Sequence, residues 1–508
     1  MINTIIKDIS VFSCTSGGYE INVYGNVYNK NELLALKKYT SSFNIKQFAL
    51  NLSGYFMVLI KSSNETIIVN DIFGNYRLYY SYDINKKVLT CSNDYAEINS
   101  LVSYDFNQIE RQYLERHRYT TGGGCLNKNI RKALPGSILS IKNGNLSHEI
   151  YFKSDYAPLL DQNKYLNRNH SLIESNIVDN IDLDKKTILL FSGGVDSVYL
   201  SQILKNKKID NHFVFIKYDY PDHDNLNDVG KVKKYGKLFN IKIDFIEHKI
   251  SQIDSSLNYM ISSQPQDISA DVFYDILRRL ESSYGPCNII NGQSSDSIYC
   301  WGNSSFSIGA LLQRIISSNI FFKSPDIFRI LFSKLIRILY KDKKNLYEFS
   351  VPYKHDELLI GLLDPDGYLP TLSNDKNYQS YLHNIIKFIK ANLRSNKDII
   401  FYLKLMYLQG PSNVPWINAA RMYNHNLIMP FLDARVVTNK IKNQNEFKQL
   451  YFPRYELINF LNSEFGIPKK YFKFEKHNPN QKEDDLINLH HKKINLYYKN
   501  YLEKVCDH

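Results

Sequence analysis

The 508-residue chain is predicted to be an α+β domain followed by an α/β domain with a large helical C-terminal part. Three observations predict this. Short segments of alternating polarity, divided by turn residues, fill the first 150 positions. From about Asp161, strand-like apolar runs alternate with helical stretches, the pattern of a parallel sheet covered by helices. Residues 305–445 then read as almost wholly helical. The expected domain bounds are 1–155 and 165–508.

In the first region the candidate strands are Tyr19–Tyr24, Tyr55–Lys61, Thr66–Val69, Leu78–Tyr82 and Ser137–Ile141. Turn signals such as Gly17-Gly18, Asn85-Lys86-Lys87 and Asn143-Gly144-Asn145 separate them. Helical stretches are expected near Asn31–Tyr39 and Asn107–Arg116. Residues 150–170, rich in Asp and Asn (Asp161-Gln162-Asn163, Asn167-Arg168-Asn169), read as a short linker. In the second region, Thr187–Phe191, Phe213–Tyr218, Ile241–Glu247 and Asn288–Asn291 read as strands. Val229–Phe239 and Ser269–Ser282 read as helices between them. Ser324-Pro325-Asp326 marks a helix start, with Ser as N-cap and Pro in the first turn. The stripe that follows (Ile327, Leu331, Leu335, Ile338, Leu339) is expected to face a core rather than a membrane surface.

Composition narrows the function classes. The net charge of +12 suits anionic partners, but the lysines and arginines are scattered and no nucleic-acid motif accompanies them. No nucleic acid is expected as a partner. The six cysteines lie far apart without a CxxC pair, which fits neither a zinc site nor a disulfide framework. A reducing, cytoplasmic location follows as the expectation. The N-terminus reads as no signal peptide, and no apolar run reaches the roughly 18 residues of a membrane span, so no stable membrane insertion is expected.

The most informative segment is Lys186–Ser197. An apolar strand runs into Ser192-Gly193-Gly194-Val195-Asp196-Ser197, after which Val198, Tyr199, Leu200, Ile203 and Leu204 fit a helix. Two glycines let backbone N–H groups come close to a ligand, and the positive helix end faces the same turn. GxxxxGK[ST] is absent, so this is no Walker loop. SGGxDS resembles instead the pyrophosphatase-type loop of enzymes that cleave ATP between its α and β phosphates. Ser192, Gly193, Gly194, Asp196, Ser197 and, from a second strand end, Gly292 are the candidate ATP-binding residues. Asp196 and Asp296, at the ends of two strands, are candidate Mg²⁺ ligands beside a departing pyrophosphate. Taken alone, Asp296 reads equally as a helix N-cap.

With these motifs the chain resembles the asparagine synthetase family. SGGVDS matches the family's SGGxDS, and Asn291–Ser297 stands where the family has GEGxDE, with Gln293 and Ser297 in place of both glutamates. Pro430-Phe431-Leu432-Asp433 matches the end of the RxxxxxxxExRxPFLD signature, with a packing and positioning role, although the usual Glu and Arg before it are replaced. The resemblance carries the catalytic lysine to Lys476, in Lys473–Gln481, with Lys473 as runner-up; that ammonium would stabilise charge in the transition state. Gly25-Asn26-Val27-Tyr28-Asn29, Leu52-Ser53-Gly54-Tyr55-Phe56, Asp71-Ile72-Phe73-Gly74 and Leu134-Pro135-Gly136 resemble elements of the family's glutaminase domain. The resemblance therefore implies an Ntn-type glutaminase-like domain ahead of a PP-loop, adenine-nucleotide α-hydrolase-like synthetase domain.

One element of that family is missing. Its glutaminases use a cysteine at position two, whose own amine serves as base; here position two is Ile2, and Cys14 lies inside the chain. Tyr24 and Asn26 also stand where the glutamine-holding Asn and Glu belong. An inactive glutaminase leaves the substrate itself as the amine source, with the entropic advantage of a tethered nucleophile. β-Lactam synthetases and lasso peptide cyclases share this pattern. The relaxed Gly292–Ser297 motif, together with Pro453-Arg454-Tyr455-Glu456, Phe465-Gly466 and Lys476, is more similar to the microcin-type lasso cyclases. A β-lactam synthetase would keep an acid at Gln293, which cannot serve as a base.

The resemblance thus implies an ATP- and Mg²⁺-dependent, AMP-forming ligase. It would join an Asp or Glu side-chain carboxylate of a precursor peptide to that peptide's N-terminal amine as a macrolactam. The precursor peptide and a leader peptidase are the implied partners. An asparagine synthetase-like or β-lactam-forming synthetase acting on a small molecule is the alternative. A non-catalytic peptide-binding scaffold is the alternative from another class.

Overall fold

A computed structural model describes residues 2–6, 8, 10–117, 120, 123–154, 159–218, 223–248, 270–299, 315, 318–339, 359, 376–408, 413–443 and 454–472. Fifteen strands form three sheets among them. Residues 2–150 supply two. The larger is six-stranded, in the order β10 (Asn145–Ile150), β9 (Ser137–Lys142), β5 (Glu65–Asn70), β4 (Gly54–Lys61), β3 (Tyr19–Val27), β2 (Phe12–Ser16). Its neighbours all run antiparallel. The smaller sheet has the order β1 (Ile2–Ile5), β7 (Val88–Ser92), β6 (Tyr79–Asp83), β8 (Arg131–Lys132). There β1 pairs parallel to β7, with Ile2 opposite Leu89.

Met57, Leu59, Ile68 and Leu139 on one face of the larger sheet pack with Tyr80, Leu89 and Cys91 of the smaller. Val23, Val58, Ile60, Val69 and Ile138 on the opposite face join the main core. This two-sided burial is why β4 reads as a nearly unbroken apolar run, YFMVLI.

The third sheet is wholly parallel, in the order β13 (Ile243–His248), β12 (His212–Tyr218), β11 (Thr187–Leu190), β14 (Asn288–Ile290), β15 (Asn426–Ile428). Ile188, Leu189, Val214, Ile289, Ile290, Leu427 and Ile428 are fully buried. Helix Val195–Asn206 lays Val198, Leu200, Ile203 and Leu204 into the same core. Order reverses at β11, with later strands on both sides, and crevices at such switch points open at the strands' carboxyl ends.

The mixed α/β fold and most of the expected strands are present, but four readings need correction. The proposed linker at 150–170 holds the first turns of helix Gln162–Val178. Asp161 caps it by accepting from Lys164 N at 2.9 Å, and Tyr165, Ile173 and Ile177 are buried. The stretch 305–445, expected to be almost wholly helical, is helical through most of its described residues, but β15 adds a strand that was not expected. Helix Asp326–Leu339 starts one residue beyond Pro325, whose carbonyl accepts the first bonds from Phe328 and Arg329. Finally, Ile327 and Leu331 of its stripe are exposed while Arg329 is buried. Arg329 pairs with Asp326 one turn earlier. The side chains of Leu335, Ile338 and Leu339 lie outside the described residues.

The first region and the domain of the parallel sheet are stitched together through backbone. Gly54 N donates to Leu432 O at 2.8 Å, and Ser53 bridges Asp433 in β fashion. Tyr28 Oη accepts from Met429 N at 2.9 Å. Among the described residues no helix is long and apolar enough to cross a membrane.

Candidate functional site

β11 ends at Leu190, and the chain turns through Phe191–Gly194 into helix Val195–Asn206. Gly193 sits at φ 70°. A Cβ there would lie 3.2 Å from Lys231 Cβ, Tyr235 Cδ2 and Val232 N at once, so the turn needs both the left-handed conformation and the missing side chain. The first-turn N–H groups of the helix therefore face an open, exposed turn. Ser192 Oγ accepts from Gly194 N at 3.3 Å and lies 3.4 Å from Ser197 Oγ, which donates to Gly194 O at 3.1 Å. Two hydroxyls and a helix N-terminus converge on one turn.

The second loop, Asn291–Ser294, follows β14, the strand paired with β11. It approaches the first so closely that a Cβ on Gly292 would meet Asp196 Cβ at 3.2 Å. Ser295 Oγ donates to Asp196 Oδ1 at 2.6 Å. The sequence expectation that Asp196 and the second motif meet at adjacent strand ends holds in the geometry. Asp296 lies in the first turn of helix Ser295–Tyr299 and its side chain lies outside the described residues. Lys476 and Lys473 lie outside them as well.

A residue without an assigned role completes the picture. Arg454 Nη1 stands 3.2 Å from Asp196 Oδ2, with only 12% and 15% of the two side chains exposed. Arg454 precedes helix Tyr455–Phe465 in the left-handed region, at φ 57°. The helix it heads is anchored two residues on: Glu456 pairs with Lys440, both essentially unexposed. Tyr165 Oη also donates to Glu456, at 3.1 Å. Sequence reading singled out Pro453–Glu456 without seeing that its charged residues point two ways, Arg454 to the loop and Glu456 into the core.

The remaining motif residues hold the frame. Asp433 is buried and accepts from Arg435 N (2.8 Å), Arg435 Nη2 (2.7 Å) and Asn176 Nδ2 (3.1 Å). Asp71 accepts four backbone N–H bonds, from Phe56, Phe73, Asn75 and Tyr76. Burial nevertheless pushes its carboxyl up to about 6. Ser294 Oγ donates to Asn413 Oδ1 at 2.7 Å, and Asn413 Nδ2 donates to Asn75 Oδ1 at 3.3 Å. A polar chain, overlooked in the sequence, thus runs from residues 71–76 to the second loop.

Neither cysteine near a plausible partner is primed as a nucleophile. Burial raises the Cys14 thiol, opposed by Lys37. Cys287 Sγ lies 3.2 Å from His425 Nδ1, but burial pushes that thiol up to about 12 and pushes His425 down. The pair is neutral, and it sits at the amino ends of β14 and β15, away from the two loops.

For a nucleotide the loops fit: two hydroxyls and helix N–H donors meet at one turn, and glycines let that turn pack tightly against its neighbours. For Mg²⁺ they supply Asp196 as one hard ligand, and no cluster of three or more His, Cys, Asp or Glu exists among the described residues.

No protein-family profile matches the chain, and no curated protein does. Solved structures overlap it loosely. They include a U34-tRNA thiolase from Methanococcus maripaludis with its [4Fe-4S] cluster (15% identity, 48% of this chain and 80% of that one, TM-score 0.22). An NMN synthetase from Francisella tularensis overlaps similarly (13%, 48% and 93%, TM-score 0.21). A glutamine phosphoribosylpyrophosphate amidotransferase from B. subtilis, complexed with ADP and GMP, overlaps 59% of this chain and 66% of its own (9%, TM-score 0.19). The fold assignment rests on the chain's own sheet order and loop geometry.

Proposed function

We propose that the chain is an ATP-dependent, AMP-forming ligase. It activates a carboxylate and joins it to an amine carried by the same substrate. The observation that carries this reading is the meeting of two loops at the β11–β14 switch point. The open SGGVDS turn there is closed on one side by the carboxylate of Asp196. When bound, ATP with Mg²⁺ supplies the activating adenylyl group and the pyrophosphate leaving group.

The chain's own residues have separable tasks. Ser192, Ser197 and the first-turn N–H groups after Gly194 hold phosphate oxygens, Gly292 lets the second loop approach Asp196, and Gly193 lets the first loop pack against helix His223–Phe239. Asp196 and Asp296 are the proposed Mg²⁺ ligands, and Lys476 is the proposed stabiliser of transition-state charge. Residues 1–155 are proposed as an inactive glutaminase-like domain, and 165–508 as the synthetase domain.

Cys14 sits in mid-strand on β2 with its thiol raised by burial, so it has no free α-amine beside it to act as a base. An internal amine avoids the need for ammonia and gains from tethering. We take the substrate to be a precursor peptide, closed to a macrolactam between its N-terminal amine and an Asp or Glu side chain, after a leader peptidase has exposed that amine.

The test is incubation of the full chain with candidate precursor peptides, ATP and Mg²⁺. The expected result is AMP, pyrophosphate and a peptide lighter by one water. AMP release with aspartate and free ammonia, without a peptide, would move the reading to a small-molecule amide synthetase. Absence of ATP–pyrophosphate exchange with any carboxylate would leave a peptide-binding scaffold.

A further inference from the structure

We propose that Arg454 is a phosphate-binding residue of this site. It neutralises Asp196 in the nucleotide-free protein and turns to the phosphates of ATP when Mg²⁺ takes up that carboxylate. The proposal rests on the ATP-dependent reading above and adds to it the identity of the cation that meets the phosphates.

Charge is the first argument. The two loops that form the cradle, 192–197 and 291–297, contain no lysine or arginine. A triphosphate entering there would bring several negative charges beside Asp196, and helix N–H groups alone offset only about half a charge. The guanidinium 3.2 Å from Asp196 Oδ2 is a cation that the described fold places against the cradle. Its planar fork suits phosphate as well as carboxylate.

Geometry is the second argument. Both side chains keep some exposure, 12% for Arg454 and 15% for Asp196, so the pair lies at the wall of the open turn rather than in the core. Asp196 Oδ1 is already held by Ser295, which leaves Oδ2 as the oxygen for which an arriving cation competes with Arg454. A left-handed conformation in a residue other than glycine is unfavourable and persists only where the surroundings enforce it. Here the Glu456–Lys440 pair and Tyr165 pin the following turn, which aims Arg454 at the loop.

Because that base is rigid, the guanidinium can change partners by side-chain rotation alone. The pair is therefore a placeholder: it keeps Asp196 from standing as an unpaired, largely buried charge before ligand arrives.

The experiment is calorimetric titration of ATP and of inorganic pyrophosphate, with and without Mg²⁺, into the full chain and its Arg454→Gln, Arg454→Lys and Asp196→Asn variants, with thermal unfolding alongside. Arg454→Gln is expected to weaken both ligands at least tenfold, with a larger loss when Mg²⁺ is absent. Arg454→Lys, which keeps the charge without the fork, should recover part of that loss. Asp196→Asn should abolish the Mg²⁺ enhancement of ATP and pyrophosphate binding. Equal affinities in wild type and both Arg454 variants would overturn this proposal alone, as would a lowered unfolding temperature with unchanged affinity. A wild-type chain that binds neither ligand would overturn the ATP-dependent reading and this proposal together.

Discussion

Asn75 and Asn413 meet amide to amide, 3.3 Å apart and almost wholly buried, across the junction between the first two sheets and the parallel one. Because Asn413 also accepts from Ser294, the second loop of the proposed nucleotide site is held from outside its own sheet. Asn413→Ala strands Ser294 Oγ and Asn75 Oδ1 in a dry interior, at a cost of about 1–3 kcal/mol. The expected outcome is a lower unfolding temperature together with severalfold weaker ATP binding. Ser294 sits at φ 73°, and its turn loosens without that anchor. Unchanged nucleotide affinity would show that the chain of amides is purely structural.

Gly193→Ala should be the more damaging of two conservative changes in the first loop. The new methyl meets three neighbours at 3.2 Å in a left-handed backbone, costing about 1–2 kcal/mol from the dihedral alone. We expect loss of ATP–pyrophosphate exchange in a protein that still folds. Ser192→Ala, at an exposed position, should keep its unfolding temperature and lose affinity only.

The buried Lys440–Glu456 pair gives a stability prediction with a built-in control. Lys440→Met leaves Glu456 without its cation and should cost about 3–5 kcal/mol. Combined with Glu456→Leu, most of that loss should return, because an apolar pair needs no desolvation. Denaturant unfolding of the two single variants and the double variant closes the cycle.

Acid stability should show a histidine signature. His148 lies against the rings of Phe388 (5.1 Å) and Tyr80 (6.4 Å). Burial first, and Arg131 second, push its pKa down from 6.5 to about 4. A lowered pKa in the folded state means the unfolded chain binds the extra proton between about pH 6.5 and 4. The stability contribution is therefore whole above 6.5 and lost as pH falls through that window, by up to about 3 kcal/mol. His148→Phe should flatten that part of the pH profile, measured by denaturant midpoint.

Glutamine should not serve as an amine donor. With Cys14 in mid-strand and its thiol raised by burial, glutamate release from glutamine is expected to stay at background. Cys14→Ser should leave ATP–pyrophosphate exchange as it was. Glutaminase activity abolished by that substitution would refute the inactive-domain reading.

Much of the scaffold was legible because burial leaves a mark on composition. β11, β12 and β14 are short apolar runs with turn residues after them, and SGGVDS follows the first of these directly. β15 escaped notice because three residues, Asn426–Ile428, are too few to carry a period. The start of helix Gln162–Val178 was hidden by its own capping chemistry, since Asp and Asn read as loop unless the apolar positions behind them are weighed. The partners of Arg454 and Asn413 could not be read at all. Each is joined to residues far away in sequence, and polar residues at such junctions follow no periodicity.

The backbone bond from Gly54 to Leu432 and the β-bridge from Ser53 to Asp433 have a consequence for the history of such a chain. On the inactive-domain proposal, the first region would otherwise be free to erode or be deleted. Its removal would take away the backbone partners of Leu432 and Asp433 in the Pro430–Asp433 turn. Residues 2–150 thus serve as masonry for that turn, whatever their own chemistry.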